Sequence, residues 1–535
     1  MGKIQLLDCT LRDGAYIVDS QFGDNAIRGI ITKLQDVGAE VIECGWLKDS
    51  PHKPGSSFFH VPDDVIPYLA DRKDNTIYSV MIDWDRYDLD NLPLYDGRSI
   101  NAVRVVFPHG KHSEGMEVGR QIKEKGYKVL FQSANTLAYS DEDLIAMAQE
   151  ANKLMPVALS VVDTFGAMFE EDLERIVKVL DEYLDPRIKI GFHSHNNQQL
   201  AFALTIHFIK YFQNKPREIM VDSTLCGMGR GAGNATTELV VSYLNRKCSC
   251  HYNLDAVMNA IDVYMGYFEE KYRWGYSTAY FIAGMYQCHV NNIAYLLNNH
   301  RTNAQDMRNV IQSMDQEDRR KYDYDLLEQK YLSIIGRKVD DEKAKQELTE
   351  AFKEREIILI APGKTAKDEQ ERIKSMIRER NALVIGVNAF LPGYDYDYVF
   401  FVNPARYDYA KETNLGFDNV KKIILSNIKA EGDENEIIIA YDHAVKQGWL
   451  HFDNAVICAL RLMDWIGIEK VAIAGFDGFK SQYNESYADP LLPSLNPGNQ
   501  WDELNEEITE MLKEFRCSAK NCKNIEFITD SLFNV

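Results

Sequence analysis

The chain has 535 residues, 45% of them hydrophobic and 26% charged, with a formal net charge of −21. That length is too great for one hydrophobic core and predicts two or three globular domains of ordinary composition. The acidic balance argues against nucleic acid or an anionic membrane surface as a main partner, since both require basic patches.

Residues 1–247 alternate between strand and helix patterns. Runs rich in β-formers occur at Lys3–Leu7, Val41–Cys44, Thr76–Ile82, Ala102–Phe107, Lys128–Gln132, Val157–Val162, Lys189–Phe192 and Glu218–Val221. Between them, Asn25–Val37, Met116–Lys125, Asp141–Leu154, Glu170–Tyr183, Asn197–Phe212 and Thr236–Asn245 carry apolar residues at helical spacing. Arg86–Ser99 is the weakest of the predicted helical connections. Ser140 before Asp141, with Asp143 in the first turn, marks a helix start. Eight strands with intervening helices in about 250 residues fit a (β/α)8 TIM barrel. An open doubly wound sheet is the rival.

Residues 251–354 read as a helical extension and linker. The aromatic stripe in Asp262–Glu269 fits helix packing better than a substrate cage. Lys338–Lys353 is charged enough to be a solvated helix. At residue 355 a second α/β pattern begins and runs to 535. Its predicted strands are Ile357–Ile360, Ala382–Val387, Tyr398–Val402, Lys422–Leu425, Glu436–Ala440, Lys470–Ala474 and Ile525–Thr529. Helices fit Lys367–Arg380, Asn454–Ile466 and Trp501–Phe515, so a mainly parallel, Rossmann-like domain is expected. Ala361–Thr365 lacks the full P-loop spacing and reads either as a phosphate cradle at a helix start or as a plain turn. Asp442-His443 reads either as a catalytic pair or as a helix start, with the helix start favoured.

The nine Cys are scattered with no repeated Cys-x2-Cys pair, which excludes a zinc ribbon and fits free thiols in a reducing cytosol. No basic segment followed by an apolar stretch opens the chain, and no run approaches the length of a membrane span. A cytoplasmic location is expected.

The chemistry concentrates at the predicted strand ends. Asp13, Glu43, Asp83, Gln132, Asp163, His193 and Ser223 all lie at or just beyond a strand C-terminus, where barrel active sites are built. His193 and His195 share one side of a strand, about 7 Å apart along it, and can grip one metal ion. Asp13 is the candidate carboxylate. It follows strand 1 and meets strand 7 only across a closed barrel seam. Two imidazoles and a carboxylate with open positions describe a catalytic metal site. The alternative is two imidazoles bonded to backbone. The loop Gly227–Asn234 holds four Gly in seven positions before a helix and suits a carboxylate or phosphate. Asn234 either offers an oxygen to the metal or stabilises that loop. Arg12 either stabilises an oxyanion beside the metal or pairs with Glu43, and both roles are compatible.

Asp-Cys-Thr-Leu-Arg-Asp-Gly at 8–14, Ile-Glu-Cys-Gly at 42–45, Asp-Thr-Phe-Gly at 163–166, His-Ser-His-Asn at 193–196 and Gly-Ala-Gly-Asn at 231–234 stand in one order over about 240 residues. Together they resemble the metal-dependent aldolase and Claisen-condensing TIM-barrel superfamily, which includes hydroxymethylglutaryl-CoA lyase. The Gly-rich loop most resembles the 4-hydroxy-2-oxovalerate aldolase branch. The resemblance implies that Asp13, His193 and His195, with Asn234, hold Mn²⁺ or Mg²⁺. It implies that Arg12 and Glu43 are catalytic. Gln132, Asp163, Thr164, Gly231 and Tyr276 are the implied substrate-binding residues, with Tyr280 as an alternative to Tyr276. The implied reaction cleaves or forms a 4-hydroxy-2-oxo acid through a pyruvate enolate, with an aldehyde as second partner and a homodimer as the assembly.

Tyr16 departs from that pattern, since the resembled aldolases keep a catalytic His there. An unperturbed Tyr has a pKa of about 10 and is a poor base at neutral pH. Tyr16 is then expected to orient the hydroxyl while another group, with His109 and His289 as candidates, moves the proton. The second domain also lies outside the resemblance. Val471–Gly478 faintly resembles Rossmann-like sialyltransferase and pterin-pyrophosphokinase-like domains, which implies a nucleotide or sugar-phosphate ligand. The rival functions are an acyl-CoA-dependent synthase or lyase, and a non-catalytic barrel joined to a transferase domain.

Overall fold

A computed structural model describes residues 2–69, 72–300, 302–414, 416–430, 432, 434–446, 448–449, 454–480, 486–494 and 501–534. The chain forms two compact units, Met1–Val290 and Asn291–Val535.

The first unit is a closed barrel. Its strands are β1 (Ile4–Asp8), β2 (Val41–Leu47), β3 (Ile77–Asp83), β4 (Ala102–Phe107), β5 (Lys128–Ser133), β6 (Ala158–Asp163), β7 (Lys189–Ser194) and β8 (Ile219–Ser223). Each runs parallel to the next. β8 then pairs with β1, and β1 with β2 through Leu7 beside Val41, so the sheet closes on itself. Closure rules out the open-sheet rival and gives the (β/α)8 architecture.

Period-2 alternation explains what fills the barrel. Leu7, Val41, Ala102, Leu130, Ala158 and Met220 pack as one small apolar cluster. Two residues further along each strand, on the same side, stand Cys9, Glu43, Arg104, Gln132, Ser160 and Asp222. An apolar layer thus supports a polar one at the carboxyl ends of the strands. Gly191 keeps this layer tight, because a Cβ there would lie 2.2 Å from Ser160 Oγ.

Six helices wrap the barrel: Asp24–Val37, His112–Glu124, Asp141–Leu154, Glu170–Tyr183, Ala201–Phe212 and Thr237–Lys247. Ser140 caps its helix as expected, accepting from Asp143 N while Asp143 accepts from Ser140 N. Two expectations need correction. Arg86–Ser99 holds only a three-residue 3-10 turn, Leu89–Asn91. Pro93 follows, has no N–H and forces extended backbone at Leu92 (φ −89°, ψ 107°). The helix expected from Asn197 begins at Ala201, because the Asn197 side chain ties two loops together, donating to Phe165 O and accepting from Ala232 N.

The second unit contains a parallel sheet of β9 (Ile357–Ile360), β10 (Leu383–Val387), β11 (Tyr398–Phe401), β12 (Lys421–Leu425), β13 (Glu436–Ile439), β14 (Lys470–Ala474) and β15 (Asn524–Phe527). The order across it is β13-β12-β11-β10-β9-β14-β15. The helix expected over Lys367–Arg380 is two, Lys364–Asp368 and Gln370–Arg380. Among the described residues, no helix is long and apolar enough to cross a membrane.

Candidate active site

Asp13 ends a four-residue helical turn, Thr10–Asp13, that follows β1. Both the turn and Asp13 are buried. Asp13 Oδ1 accepts from Arg12 Nη1 at 2.7 Å, and Oδ2 accepts from Asn234 Nδ2 at 2.5 Å. Burial works to raise the Asp13 carboxyl, but Arg12, the nearby imidazoles and the Asn234 bond outweigh it and hold it well below the usual carboxylate range. It is a carboxylate at any ordinary pH.

Opposite it stand the two imidazoles, with ring centroids 5.0 Å apart and planes at 88°. His195 Nδ1 lies 3.0 Å from Asp163 O, the geometry of a ring N–H donating to a backbone carbonyl. That tautomer leaves Nε2 with its lone pair facing Asp13 Oδ2, 3.7 Å away. His193 Nδ1 lies 3.1 Å from Asp222 Oδ2 but off the line of a hydrogen bond, and neither ring nitrogen has a hydrogen-bond partner. Burial first, then Arg12, keeps His193 neutral. Donor atoms of Asp13, His193 and His195 all lie within 4.8 Å of one another. Asn234 Oδ1 is buried without a partner beside them.

These residues fit a divalent cation. The donor set is one carboxylate, two neutral imidazoles and an amide oxygen, which suits a first-row or hard divalent metal with open positions. Two guanidinium groups, Arg12 and Arg104, face three carboxylates, Asp13, Glu43 and Asp222, all buried. One negative charge is left over, and a bound cation would offset it. A second cluster, Cys9, His193 and Asp222, fits less well, since burial pushes the Cys9 thiol far above its ordinary value.

The Gly-rich loop is shaped around this group. A Cβ on Gly229 would stand 2.1 Å from Asn234 Nδ2 and 2.6 Å from Asp13 Oδ2, so only glycine permits the Asp13–Asn234 bond. Asn196 N donates to Gly233 O at 2.7 Å and docks the loop on the end of β7. Among the described residues the N–H groups of Gly229, Arg230 and Gly231 have no acceptor. Asn234 stabilises the loop, since Nδ2 also reaches Met228 O at 3.3 Å, and its Oδ1 is left without a hydrogen-bond partner.

Arg12 is locked. Its Nε donates to Glu43 Oε2 at 2.7 Å, Nη1 donates to Asp13, and Nη2 is buried without a partner. Tyr16 lies at the mouth, 39% exposed, with the Arg230 guanidinium 3.9 Å above its ring and Trp46 at its edge. Crowding by its surroundings raises the Tyr16 hydroxyl despite Arg230, so it keeps its proton at neutral pH. His289 has its pKa pushed down to about 3 by burial, then by Arg230 and His195, so it is neutral. His109 faces elsewhere and meets Asp143 at 3.3 Å, 41% exposed.

The remaining candidates are spread around this centre. Asp163 accepts from Ala167 N and Met168 N and is raised to about 7 by burial. Thr164 Oγ1 accepts from Asn135 N at 2.6 Å. Gln132 is buried at the end of β5. Gly231 adopts φ +66° against Asn197. Tyr276 is 60% exposed and lines a side cleft with Glu269 and Trp274 that shares Asn234 with the cation-binding group. Sequence reasoning missed Arg104 and Asp222. Arg104 is fully buried and bonds Asp222 and Ser160. A charged residue in the middle of strand β4, where the alternation points inward, was the available signal.

Residues 113–263 match the HMGL-like family model. An oxaloacetate decarboxylase from Mycobacterium tuberculosis is 27% identical over 250 residues, covering 45% of this chain and 70% of that protein. A 4-hydroxy-2-oxovalerate aldolase from Roseiflexus castenholzii is 28% identical over 250 residues, covering 46% of this chain and 72% of that protein. The solved N-terminal domain of a Bacteroides vulgatus protein named as an aldolase shows 22% identity and a TM-score of 0.47, covering 55% of this chain and 96% of that one. The N-terminal TIM barrel thus carries a match to the HMGL-like family model, and the chain is similar to proteins named as an aldolase and a decarboxylase.

Proposed function

We propose that the barrel is a divalent-cation-dependent carbon–carbon lyase that acts on a 2-oxo acid, with Asp13, His193, His195 and Asn234 holding Mn²⁺ or Mg²⁺. The observation that carries this reading is the convergence of those donors, with both His193 nitrogens and Asn234 Oδ1 lacking partners in a buried, negatively charged setting. A divalent cation held there supplies positive charge next to the keto and carboxylate oxygens of the substrate.

The chain's own groups supply the rest. Arg12 is fixed by Glu43 and Asp13, so its free Nη2 is a pre-organised donor for an oxygen that gains charge as the enolate forms. The unpaired N–H groups of Gly229, Arg230 and Gly231 suit a substrate carboxylate. Cleaving a 4-hydroxy-2-oxo acid to pyruvate and an aldehyde needs a base for the hydroxyl proton. Tyr16 keeps its own proton and orients that hydroxyl, while His289, pushed down to about 3 by burial and by Arg230 and His195, is a weak acceptor for it.

A second reading draws support from Tyr16 itself. Loss of CO₂ from a 2-oxo dicarboxylic acid yields the same enolate without removing a hydroxyl proton. A tyrosine that keeps its proton can then deliver it to the enolate carbon. Relatives named for each reaction are similar to this chain at 27% and 28% identity over 250 residues.

Incubation with Mn²⁺ and pyruvate in deuterated water tests the shared enolate step. Cation-dependent exchange of the methyl protons, absent in His193→Ala, is expected. Absence of exchange with every divalent metal tried would reject the enolate reading. CO₂ release from oxaloacetate against aldehyde release from 4-hydroxy-2-oxovalerate then separates the two reactions. Release of CoA from acetyl-CoA and a 2-oxo acid would point to the acyl-CoA alternative.

A further inference from the structure

The second unit has its own cleft, and its chemistry is unlike that of the barrel. In the strand order of the second sheet, β9 lies between β10 and β14. The sequential order of the strands reverses at that point, the arrangement in which right-handed connections run to opposite faces of a parallel sheet. Such a switch point opens a crevice at the carboxyl ends of the strands, where α/β sheets bind ligands. The crevice is present. It is lined by the residues after β9 (Pro362), after β10 (Asn388), after β11 (Arg406) and after β14 (Phe476 and Asp477). Its volume is about 130 Å³. That is on the order of a cavity that takes one small ring, so a larger ligand would extend into the open mouth.

Three polar groups there lack a full set of partners. Arg406 is only 5% exposed. Its guanidinium lies 4.8 Å above the Tyr487 ring, and its one hydrogen bond is a long one to Asn388 O, 3.5 Å. No carboxylate among the described residues neutralises it. A buried guanidinium without a counter-charge is costly, and its planar fork matches a phosphate or carboxylate. Asn388 sits beside it with φ +55°, a strained conformation for a non-glycine residue. Its Oδ1 accepts from Val402 N and Asn403 N, which turns its amide NH₂ away from that role. That NH₂ has no acceptor among the described residues. Asp477 accepts from Thr365 N and Thr365 Oγ1 and retains lone pairs on both oxygens.

The same contacts favour the plain turn of the two readings left open for Ala361–Thr365. That turn is no phosphate cradle, since Thr365 is engaged by Asp477. Gly363 and Gly475 are required because the two loops cross, with Gly363 N donating to Gly475 O at 2.9 Å. Anion recognition therefore falls to Arg406 and Asn388, and Asp477 is left as an acceptor for hydroxyl groups. The apolar walls, including Phe476, Phe479 and Phe533, suit the body of the ligand.

We infer that this cleft binds a phosphate ester that carries sugar hydroxyls, with Arg406 and Asn388 on the phosphate and Asp477 on the hydroxyls. A nucleotide and a simple sugar phosphate share that chemistry. The inference rests on the second unit alone and stands whether or not the barrel is a lyase.

Calorimetric titration of the full-length protein with inorganic phosphate, UDP and glucose 1-phosphate tests it. At least one of the two esters is expected to bind saturably and more tightly than inorganic phosphate, and the better one identifies the source. Arg406→Gln should weaken that ester at least about tenfold, the scale of a charge-assisted bond pair. Asp477→Asn should weaken the ester but leave inorganic phosphate unchanged. Circular dichroism checks that each variant is folded, and Asn388→Leu serves as a further anion-side variant if Arg406→Gln is not. Ester binding that survives the loss of these groups would overturn the inference. So would saturation by inorganic phosphate alone, or no binding of either ester at about 10 mM, the weak limit of specific recognition.

Discussion

The barrel mouth and the crevice of the second sheet both lie at the carboxyl ends of parallel strands, yet they handle charge in opposite ways. In the barrel, Arg12 and Arg104 are each gripped by carboxylates, and the surplus charge is negative. In the crevice, no carboxylate among the described residues pairs with the buried Arg406, while Asp477 is held apart on Thr365, so the guanidinium is left to a ligand. Closure accounts for much of the difference. A closed barrel brings residues from the first and last strands face to face, so its interior can build a multi-residue network. An open sheet offers only the few loops on either side of its switch point. The first arrangement suits a cation, and the second suits an anion.

The largest expected effect breaks the barrel half of this contrast. His193→Ala should abolish cation-dependent proton exchange on pyruvate and the rise in barrel melting temperature on adding Mn²⁺. Calorimetry with and without the metal checks the second readout apart from activity. Next, Arg12→Lys keeps the charge but removes the fork between Glu43, Asp13 and the substrate. A loss of about 10²- to 10³-fold in exchange rate is expected, as for one oxyanion donor. A rate within a factor of two of the parent protein would remove Arg12 from the mechanism.

Asp222→Asn probes the support behind His193. Asp222 lies 3.1 Å from His193 Nδ1 without a hydrogen bond, so a loss at the low end of the about 10- to 100-fold that bonded outer-shell partners carry is expected, and Mn²⁺ titration followed by electron paramagnetic resonance measures it. An unchanged affinity would mean that Asp222 serves only Arg104.

A smaller effect concerns pH. Burial raises the Asp8 carboxyl to about 6, against the Thr237 and Thr10 bonds that lower it. A carboxyl whose folded pKa lies above its unfolded value leaves the folded barrel holding an extra proton, so stability falls as pH rises from about 4 to about 6. Asp8→Asn lacks that loss. Relative to the parent protein it should gain in melting temperature across this window and hold the gain above it. Scanning calorimetry at pH 4.5 and 7.5 compares the two, and a gap that does not widen would contradict the assignment. Last, Arg406→Gln should leave pyruvate exchange unchanged, which sharpens the separation between the two sites.

Much of this was legible in the sequence because barrels write their interior at period 2. The strands carried that pattern, and their C-terminal residues marked the mouth. Asp13 could be paired with His193 and His195 because closure follows from eight strands. Arg104 and Asp222 were harder to see. Arg104 is a single charged residue inside an apolar run, Asp222 directly follows the apolar run Ile219–Val221, and their mutual contact joins β4 to β8. Such a contact depends on barrel shear, which local pattern does not encode. Arg86–Ser99 failed for a local reason, since Pro93 outweighs the helical propensity of its neighbours. In the second unit the strands were readable, but the crevice was not. Asp477 closes onto Thr365 across 112 positions, and only the folded sheet shows that this occupies the turn that the sequence left open between a phosphate cradle and a plain turn.

The bond between Asp13 and Asn234 has a consequence for the order of events during synthesis. The two residues are 221 positions apart in the chain. A growing chain exposes the carboxylate early but gains the amide only after seven more strands and the Gly-rich loop have been made. A cation that needs both groups would therefore bind a finished barrel and ignore an unfinished one. Metal capture on the ribosome would then report the moment at which the barrel closes.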